Sequence, residues 1–137
     1  NSITFVAEKI IKLLPFDAKE ATNSDSNRQS YGNNRYLHSN LRQWLNSSAA
    51  AGAWYSAQHS ADAPPNNANV WNNNNEYDAL AGFLNAFSAN ERNALLSTTL
   101  TVARNTVTDG GSSETVTDKI FLLSETEVGL GNENGIT

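Results

Sequence analysis

The apolar positions near the N-terminus follow a spacing of two at first and then form a run that closes at a proline. They are Ile3, Phe5, Ala7, Ile10, Ile11, Leu13, Leu14 and Phe16. β-Branched and aromatic residues at this spacing are typical of strands, so we predict one or two strands over residues 3–16. A helical turn over residues 7–14 is the competing interpretation, because some of these positions also fit a helical spacing.

Residues 17–35 are polar and rich in Asn, Ser and Asp, which predicts a loop. The next pattern is helical, with Leu41, Trp44 and Leu45 on one face. Ser39 or Asn40 supplies the N-cap, since both side chains can accept a hydrogen bond from the first turn. We expect this helix to fade at residues 46–48, and residues 49–53 either extend it or form a loop.

Residues 54–77 contain a Pro-Pro pair and a run of four asparagines, which argue against a helix or a strand. The same stretch carries four large aromatic residues, which a disordered linker would lack. These are Trp54, Tyr55, Trp71 and Tyr77. We therefore predict a long ordered loop that its aromatic side chains hold in place.

The C-terminal half returns to regular patterns. Leu80, Phe83, Leu84 and Phe87 have helical spacing within residues 77–87. Ser88 and Glu91 form a capping box that opens the next helix. Alternation over residues 99–108 predicts a strand, and residues 109–111 (DGG) predict a turn. Residues 119–123 read as a short buried strand, Ser124 and Glu127 as a second capping box, and residues 129–137 as a loop.

The amino-acid composition and net charge exclude several classes of function. Apolar residues make up 39% of the 137 residues and charged residues 17%, which suits one domain with a modest core. The net charge is −5 and the nine basic residues are scattered, so we do not expect nucleic acid binding. No apolar run is long enough for a membrane span. The absence of cysteine removes disulfides and thiolate chemistry. The absence of methionine suggests a processed or excised segment.

The aromatic loop is the candidate ligand site. Aromatic rings stack on sugar faces while neighbouring amides hydrogen-bond to hydroxyl groups, so this combination is typical of carbohydrate sites. The predicted ligand-binding residues are Trp54, Tyr55, Trp71, Asn73, Asn74 and Tyr77. The alternative is that these rings only hold the loop in place.

The same loop offers hard oxygen donors, which calcium prefers. The predicted calcium ligands are Asp62, Glu76 and Asp78, with amides at Asn66, Asn69, Asn72 and Asn74. Their spacing matches no EF-hand, and turn formation is the alternative role. No other cofactor is expected. His38 and His59 lack partners at a ligand spacing, and we read them as structural. Arg42 is expected to form an ion pair or a carbonyl clamp, and Asp118 with Lys119 a turn-stabilising pair.

Two segments carry a resemblance to a known family. They are residues 36–46 (YLHSNLRQWLN) and residues 117–128 (TDKIFLLSETEV). Softer matches lie at residues 59–65 and 87–91. In this order and spacing they resemble a domain of unknown function found in phage and prophage tail-associated proteins and in surface proteins of Firmicutes and gut bacteria. That domain is itself similar to the C-type-lectin-like and formylglycine-generating-enzyme-like fold.

The resemblance implies an α+β fold with two to three helices, short strands and long ordered loops. It also implies that residues 1–137 are the N-terminal part of a single lectin-like domain, because family members usually continue into a Trp-rich second half. A half-domain would leave strand edges exposed, which favours homo-oligomers or larger assemblies.

The expected function is non-enzymatic recognition of a host-surface glycan or protein, on a virion tail or an extracellular surface. The alternative is a purely architectural segment, completed by its missing half or by a neighbouring subunit, with no ligand. An enzyme of the formylglycine-generating type is the least favoured reading. Such enzymes act through cysteines, and related sulfoxide-forming enzymes act through a histidine cluster.

Overall fold

The computed structural model describes residues 2–71, 75–124 and 127. Within them the chain forms three short α-helices and one two-stranded antiparallel sheet. The helices are α1 (Ser26–Tyr31), α2 (Asn40–Leu45) and α3 (Ala89–Ala94), and the strands are β1 (Thr98–Ala103) and β2 (Ser113–Asp118). Single 3₁₀ turns lie at Tyr36–His38, Tyr77–Ala79 and Phe83–Ala86. The mixed α+β class predicted from the sequence is therefore confirmed.

Helix α2 begins and ends where its sequence predicts. The Ser39 hydroxyl accepts a hydrogen bond from the Arg42 backbone N–H, and Asn46 follows the last helical residue. Trp44 and Leu45 are buried with Trp54 and Tyr77 in one aromatic core cluster. The Trp44 and Tyr77 ring centroids lie 6.2 Å apart in an edge-to-face arrangement. The apolar face of α2 is thus the face that forms the core.

Helix α3 confirms the first capping box. The Ser88 hydroxyl accepts from the Glu91 N–H, and the Glu91 carboxylate accepts from the Ser88 N–H. The same reciprocal pair of hydrogen bonds joins Ser124 and Glu127, so the local geometry of the second box is also confirmed. The helix expected to follow it, and the loop at residues 129–137, lie outside the described residues.

The strand predicted over residues 3–16 is wrong, and so is the competing helical turn. This segment has no regular secondary structure, and most of its large apolar side chains are exposed, Phe5 by 88% and Ile10 by 82%. The reason is that a strand needs a neighbouring strand to pair its backbone groups, and the described part of the chain places none beside this segment.

The predicted loop at residues 17–35 contains a helix that sequence reasoning missed. The Asp25 carboxylate accepts from the N–H groups of Asn27 and Arg28 and so caps α1. Gly32 ends α1 at a φ of 87°, and a Cβ there would lie 2.5 Å from the Ala18 carbonyl oxygen. Glycine is therefore required at this position for its backbone angle and for the close approach.

The helix predicted from the spacing of apolar residues over residues 77–87 is also wrong. The structure has two separate 3₁₀ turns there, because Gly82 packs its backbone against residues 47–49 and donates to the Ala49 carbonyl. The Leu84 N–H donates to the Ser47 carbonyl in the same contact. These tertiary hydrogen bonds replace the ones a continuous helix would form.

The C-terminal strands differ from the predicted ones. The first strand ends at Ala103, because Asn105 then caps a turn by accepting from Val107 and Thr108. The predicted turn at residues 109–111 is confirmed, with positive φ at Gly110 and Gly111. The second strand is Ser113–Asp118 instead of residues 119–123, because only the earlier segment is in register with β1.

Three ion pairs connect the hairpin formed by β1 and β2 to the rest of the protein. Three arginines spaced by seven residues each bind one carboxylate at its loop or on β2. The pairs are Arg28 with Asp109, Arg35 with Glu114 and Arg42 with Asp118. Asp118 is only 4% exposed, and Arg42 reaches it with both Nε (2.9 Å) and Nη2 (2.7 Å).

Arg42 therefore forms the predicted ion pair, and its Nη1 also donates to the Leu37 carbonyl. The predicted pairing of Asp118 with Lys119 is wrong. The Lys119 ammonium donates instead to the Arg92 carbonyl, and the Lys119 N–H donates to Asn46. Each residue serves a different contact with the helices, since their side chains alternate across the strand end.

Candidate functional site

A surface cleft of about 190 Å³ lies beside the aromatic core cluster. Three of the six predicted ligand-binding residues line it, namely Trp54, Tyr55 and Tyr77. Its other walls are Gly52, Pro64, Pro65, Asn66 and Asp78. The structure thus gathers rings, an amide and a carboxylate around one concave surface, which we call the aromatic cleft.

Two of these rings form the floor of the aromatic cleft and are fixed by backbone hydrogen bonds. Trp54 Nε1 donates to the Leu80 carbonyl at 3.1 Å, and the Tyr77 hydroxyl donates to the Pro15 carbonyl at 2.8 Å. Trp54 is 6% exposed and Tyr77 is 2% exposed, and their ring centroids lie 5.1 Å apart. Their polar atoms are therefore occupied, and they offer a ligand only apolar surface.

Tyr55 is the aromatic residue that can reach a ligand. Its side chain is half-buried, and it packs against the core cluster from the cleft side. Burial raises the pKa of the Tyr55 phenol to about 12, and the nearby carboxylates of Asp62 and Asp17 add to this rise. The phenol therefore keeps its proton at neutral pH and can donate a hydrogen bond.

The polar side of the aromatic cleft is formed by Asn66 and Asp78. The Asn66 side-chain oxygen accepts from the N–H groups of Ala68 and Asn69 at 3.0 and 3.1 Å, which fixes the orientation of the amide. Its NH₂ group is then left to act as a donor. Asp78 is exposed and supplies an acceptor. One donor and one acceptor beside a ring match the needs of a sugar hydroxyl pair.

Trp71, another predicted ligand residue, does not line this cleft. Trp71 is 54% exposed, and its ring centroid lies 4.9 Å from that of Tyr31 at the end of α1. Asn73 and Asn74 lie outside the described residues, as does Asn72 of the predicted calcium loop. The exposed pair of Trp71 and Tyr31 is a second aromatic surface that sequence reasoning did not find, because 40 residues separate the two rings.

The predicted calcium carboxylates have separate surroundings. Asp62 accepts from the Gln58 N–H at 2.7 Å, Glu76 pairs with Lys12, and Asp78 lines the aromatic cleft. Within residues 2–71, 75–124 and 127, no group of three or more His, Cys, Asp or Glu side chains could hold a metal ion. Asn69 donates to the Pro64 carbonyl, so its amide stabilises the turn.

The two histidines form a pair that their sequence spacing does not suggest. The His38 and His59 ring centroids lie 4.8 Å apart with an angle of 32° between the rings. His59 Nε2 lies 3.0 Å from Glu20 Oε1, and Glu20 is fully buried. Burial, together with Arg35 and His59, lowers the pKa of His38. No local signal could have revealed this pair, because three separate segments meet to form it.

A buried acidic group, Asp17, lies at the centre of the same polar region. One Asp17 oxygen accepts from the Asn33 N–H at 2.7 Å and the other from the Asn40 N–H at 3.0 Å. The Asn40 side-chain oxygen in turn accepts from the Ala18 N–H. Burial raises the pKa of Asp17 to about 7 despite these hydrogen bonds. We call Asp17, Glu20, Asn33, Ser39 and Asn40 the buried polar network.

The buried polar network fixes three backbone segments. Glu20 accepts from the Asn33 amide at 3.0 Å and also pairs with Asn23. All five side chains are less than 6% exposed. The network therefore positions the polypeptide. The aromatic cleft is one open concave surface of the described residues, and another is lined by residues that include Asp25, Arg28 and Thr108.

Comparison with known proteins assigns the chain to a family. A family model described as a domain of unknown function (DUF6273) matches residues 1–137. The chain therefore belongs to this family, which confirms the predicted membership in a domain family of unknown function. No match was found among curated proteins or among solved structures. The described residues contain no helix that is long and apolar enough to cross a membrane.

Proposed function

We propose that this domain is a recognition module that binds a glycan on a host or cell surface through the aromatic cleft. The observation that carries the proposal is the meeting of Trp54, Tyr55 and Tyr77 with Asn66 and Asp78 around one concave surface. Sugar rings present an apolar face and polar edges, and this cleft offers an apolar floor with a donor and an acceptor at its side.

The proposed cleft is rigid before any ligand arrives. Its floor residues are held by hydrogen bonds to Leu80 and Pro15, and its far wall is a Pro-Pro pair whose backbone angles are restricted. A preformed site loses little conformational entropy on binding, which supports a role in non-covalent recognition.

The setting that we propose comes from the sequence resemblance. The module would belong to a phage tail-tip or fibre protein or to a bacterial surface protein, in a virion tail or at the extracellular surface. Its scaffold would be a lectin-like domain, of which the described helices and the hairpin form a part. A non-enzymatic role agrees with the absence of cysteine, which the formylglycine-generating relatives use.

The proposal is tested by glycan binding of matched variants. We would screen the full chain on a printed array of bacterial surface polysaccharides and mammalian glycans and measure the best hit by titration calorimetry. Tyr55→Ala should weaken binding by roughly tenfold or more, because the accessible ring of the cleft is lost. Adding calcium or EDTA to the same titration tests the predicted calcium dependence.

The matched control is Trp71→Ala, which removes a larger ring from the other exposed aromatic surface. If binding is lost with Trp71→Ala and retained with Tyr55→Ala, the aromatic cleft is not the site. Trp54→Ala is unsuitable for this purpose because Trp54 belongs to the core, and its truncation should cost about 3–5 kcal/mol of folding free energy.

A second candidate is a purely architectural role without a ligand. The observation that favours it is the exposure of Ile3, Phe5 and Ile10, which are 78–88% exposed in the N-terminal segment. An apolar segment of this kind is covered when a protein assembles. An array on which the chain binds nothing would favour this role over recognition.

A further inference from the structure

We infer that the glycan bound in the aromatic cleft carries a positively charged amino substituent, which lies against the Tyr55 ring and beside the Asp78 carboxylate. The inference rests on the proposed function, because it names the class of ligand for that same cleft. Three features of the described residues support it. The cleft has a carboxylate in its wall, it has no basic side chain, and it places aromatic surface next to the carboxylate.

The carboxylate in the wall is available to a ligand. Asp78 is the one charged side chain among the described residues that line the cleft, and it is exposed. Among the described residues it forms no ion pair. Negative charge also acts on the Tyr55 wall, because Asp62 and Asp17 add to the effect of burial in raising the pKa of that phenol. A positive group in the cleft is therefore attracted, and a negative one is repelled.

Positive charge of the protein itself is kept away from the cleft. All nine lysines and arginines of the chain lie within the described residues, and none of them lines the cleft. Lys12 pairs with Glu76, the residue before Tyr77, so the charge of this lysine is already compensated. An acidic sugar would find no countercharge in the cleft. The charge pattern therefore favours an amino sugar over a uronic acid or a sugar phosphate.

The aromatic surface adds an attraction that a carboxylate alone does not supply. A cation within about 6 Å of the centre of an aromatic ring is attracted by the negative face of the ring. Tyr55 is half-buried and packs against the core cluster from the cleft side, so its ring has a fixed place beside the ligand space. An ammonium or alkylammonium group gains from both the ring and the carboxylate, whereas a neutral acetamido group carries no charge for either to attract.

The test compares two tetrasaccharides of similar size and different charge, each titrated into the full chain by calorimetry. They are chitin-type tetramers, one of N-acetylglucosamine and one of N,N,N-trimethylglucosamine, whose trimethylammonium group is permanently positive. We expect the cationic tetramer to bind roughly fivefold more tightly, which is the scale of an exposed ion pair and a cation–π contact together. The preference should fall as the salt concentration rises, because ions screen the attraction.

Two variants of equal charge locate the origin of this preference. Asp78→Asn should reduce it to about twofold or less, because only the attraction to the Tyr55 ring remains. The matched control is Glu8→Gln, which removes the same charge at an exposed residue outside the cleft and should keep the preference. Equal binding of the two tetramers, tighter binding of the N-acetyl tetramer, or a preference that Asp78→Asn leaves intact would each overturn the inference.

These outcomes differ from failure of the proposed function. Tyr55→Ala should weaken the binding of both tetramers, since both contact the accessible ring of the cleft. If the two tetramers bind equally and Tyr55→Ala weakens both, glycan recognition by the cleft stands and the charge preference fails. If neither tetramer binds, the inference is overturned, and the glycan array decides the proposed function separately.

Discussion

Two neighbouring regions of this protein have opposite burial. Residues 2–13 are apolar and exposed, with Phe5 88% and Leu13 81% accessible. A few residues later, the buried polar network contains Glu20, Ser39 and Asn40, none of which is accessible. Hydrophobicity alone would have placed these two regions the other way round.

The difference shows that hydrogen bonds to backbone groups can hold polar side chains inside the first third of this chain. Asp17 and Asn40 can be buried because they accept from backbone N–H groups that would otherwise lack partners. The exposed segment has apolar side chains, but no described strand edge lies beside it to receive its backbone groups. Apolar character is therefore not sufficient for burial when the main chain has no partner.

The largest expected effect on folding stability comes from removing a hydrogen-bond acceptor of the buried polar network. Asp17→Ala leaves two buried backbone N–H groups without acceptors, so it should lower the free energy of unfolding by about 3–5 kcal/mol. Urea denaturation followed by tryptophan fluorescence measures this change. The control is Asp78→Ala at an exposed position, where we expect less than about 0.5 kcal/mol. Equal effects of the two variants would mean that the network does not stabilise the fold.

The next largest expected effect is a change of the unfolding free energy with pH, which arises from Asp17 in the buried polar network. The pKa of Asp17 is raised from 3.8 to about 7, so between these values the folded state holds a proton that the unfolded state has released. The stability contributed by Asp17 is therefore complete below pH 3.8 and is lost as the pH rises to about 7. The slope should approach roughly 1.4 kcal/mol per pH unit.

This slope is measured as the difference in unfolding free energy between the unmodified chain and Asp17→Asn. The subtraction cancels Asp109 and Glu114. Burial opposes the shift at Asp109, but Arg28 and Arg35 lower the pKa values of the two carboxyl groups, so their contribution is lost as the pH falls below their ordinary values of 3.8 and 4.5. The difference should shrink from pH 4 to pH 7 and then remain constant. A difference independent of pH would show that Asp17 is ionised throughout this range.

The smallest expected effect on folding stability is that of shortening a valine to alanine, and the two regions should differ in its size. Val70 is fully buried, whereas Val6 in the exposed segment is 61% accessible. Val70→Ala should cost about 2 kcal/mol, and Val6→Ala should cost less than about 0.5 kcal/mol. Chemical denaturation of both variants tests this, and a comparable loss at Val6 would mean that the segment is packed in solution.

The candidate site was predictable in part, for a physical reason. Tyr55 and Trp54 were identified because aromatic residues between turn-forming residues need an ordered environment, and both line the aromatic cleft. Trp71 was included by the same argument, yet it pairs with Tyr31 on another surface. Composition identifies residues that require packing, but it does not tell which of them face the same space.

The sequence by itself determined the features whose partners lie within a few residues. The cap at Ser39, the capping boxes at Ser88 and Ser124 and the turn at Gly110 all depend on contacts three residues apart or on the freedom of a single φ angle. Such contacts need no distant partner, which is why a local pattern can predict them, although the equally local cap at Asp25 was missed.

Only the tertiary structure decided the contacts between distant segments. Arg42 and Asp118 are 76 residues apart and Arg28 and Asp109 are 81 apart, yet these pairs hold the hairpin in place. The stacking of His38 on His59 and the second strand at residues 113–118 were also unpredictable. Their energies depend on desolvation and on strand register, which exist only after the chain has brought these segments together.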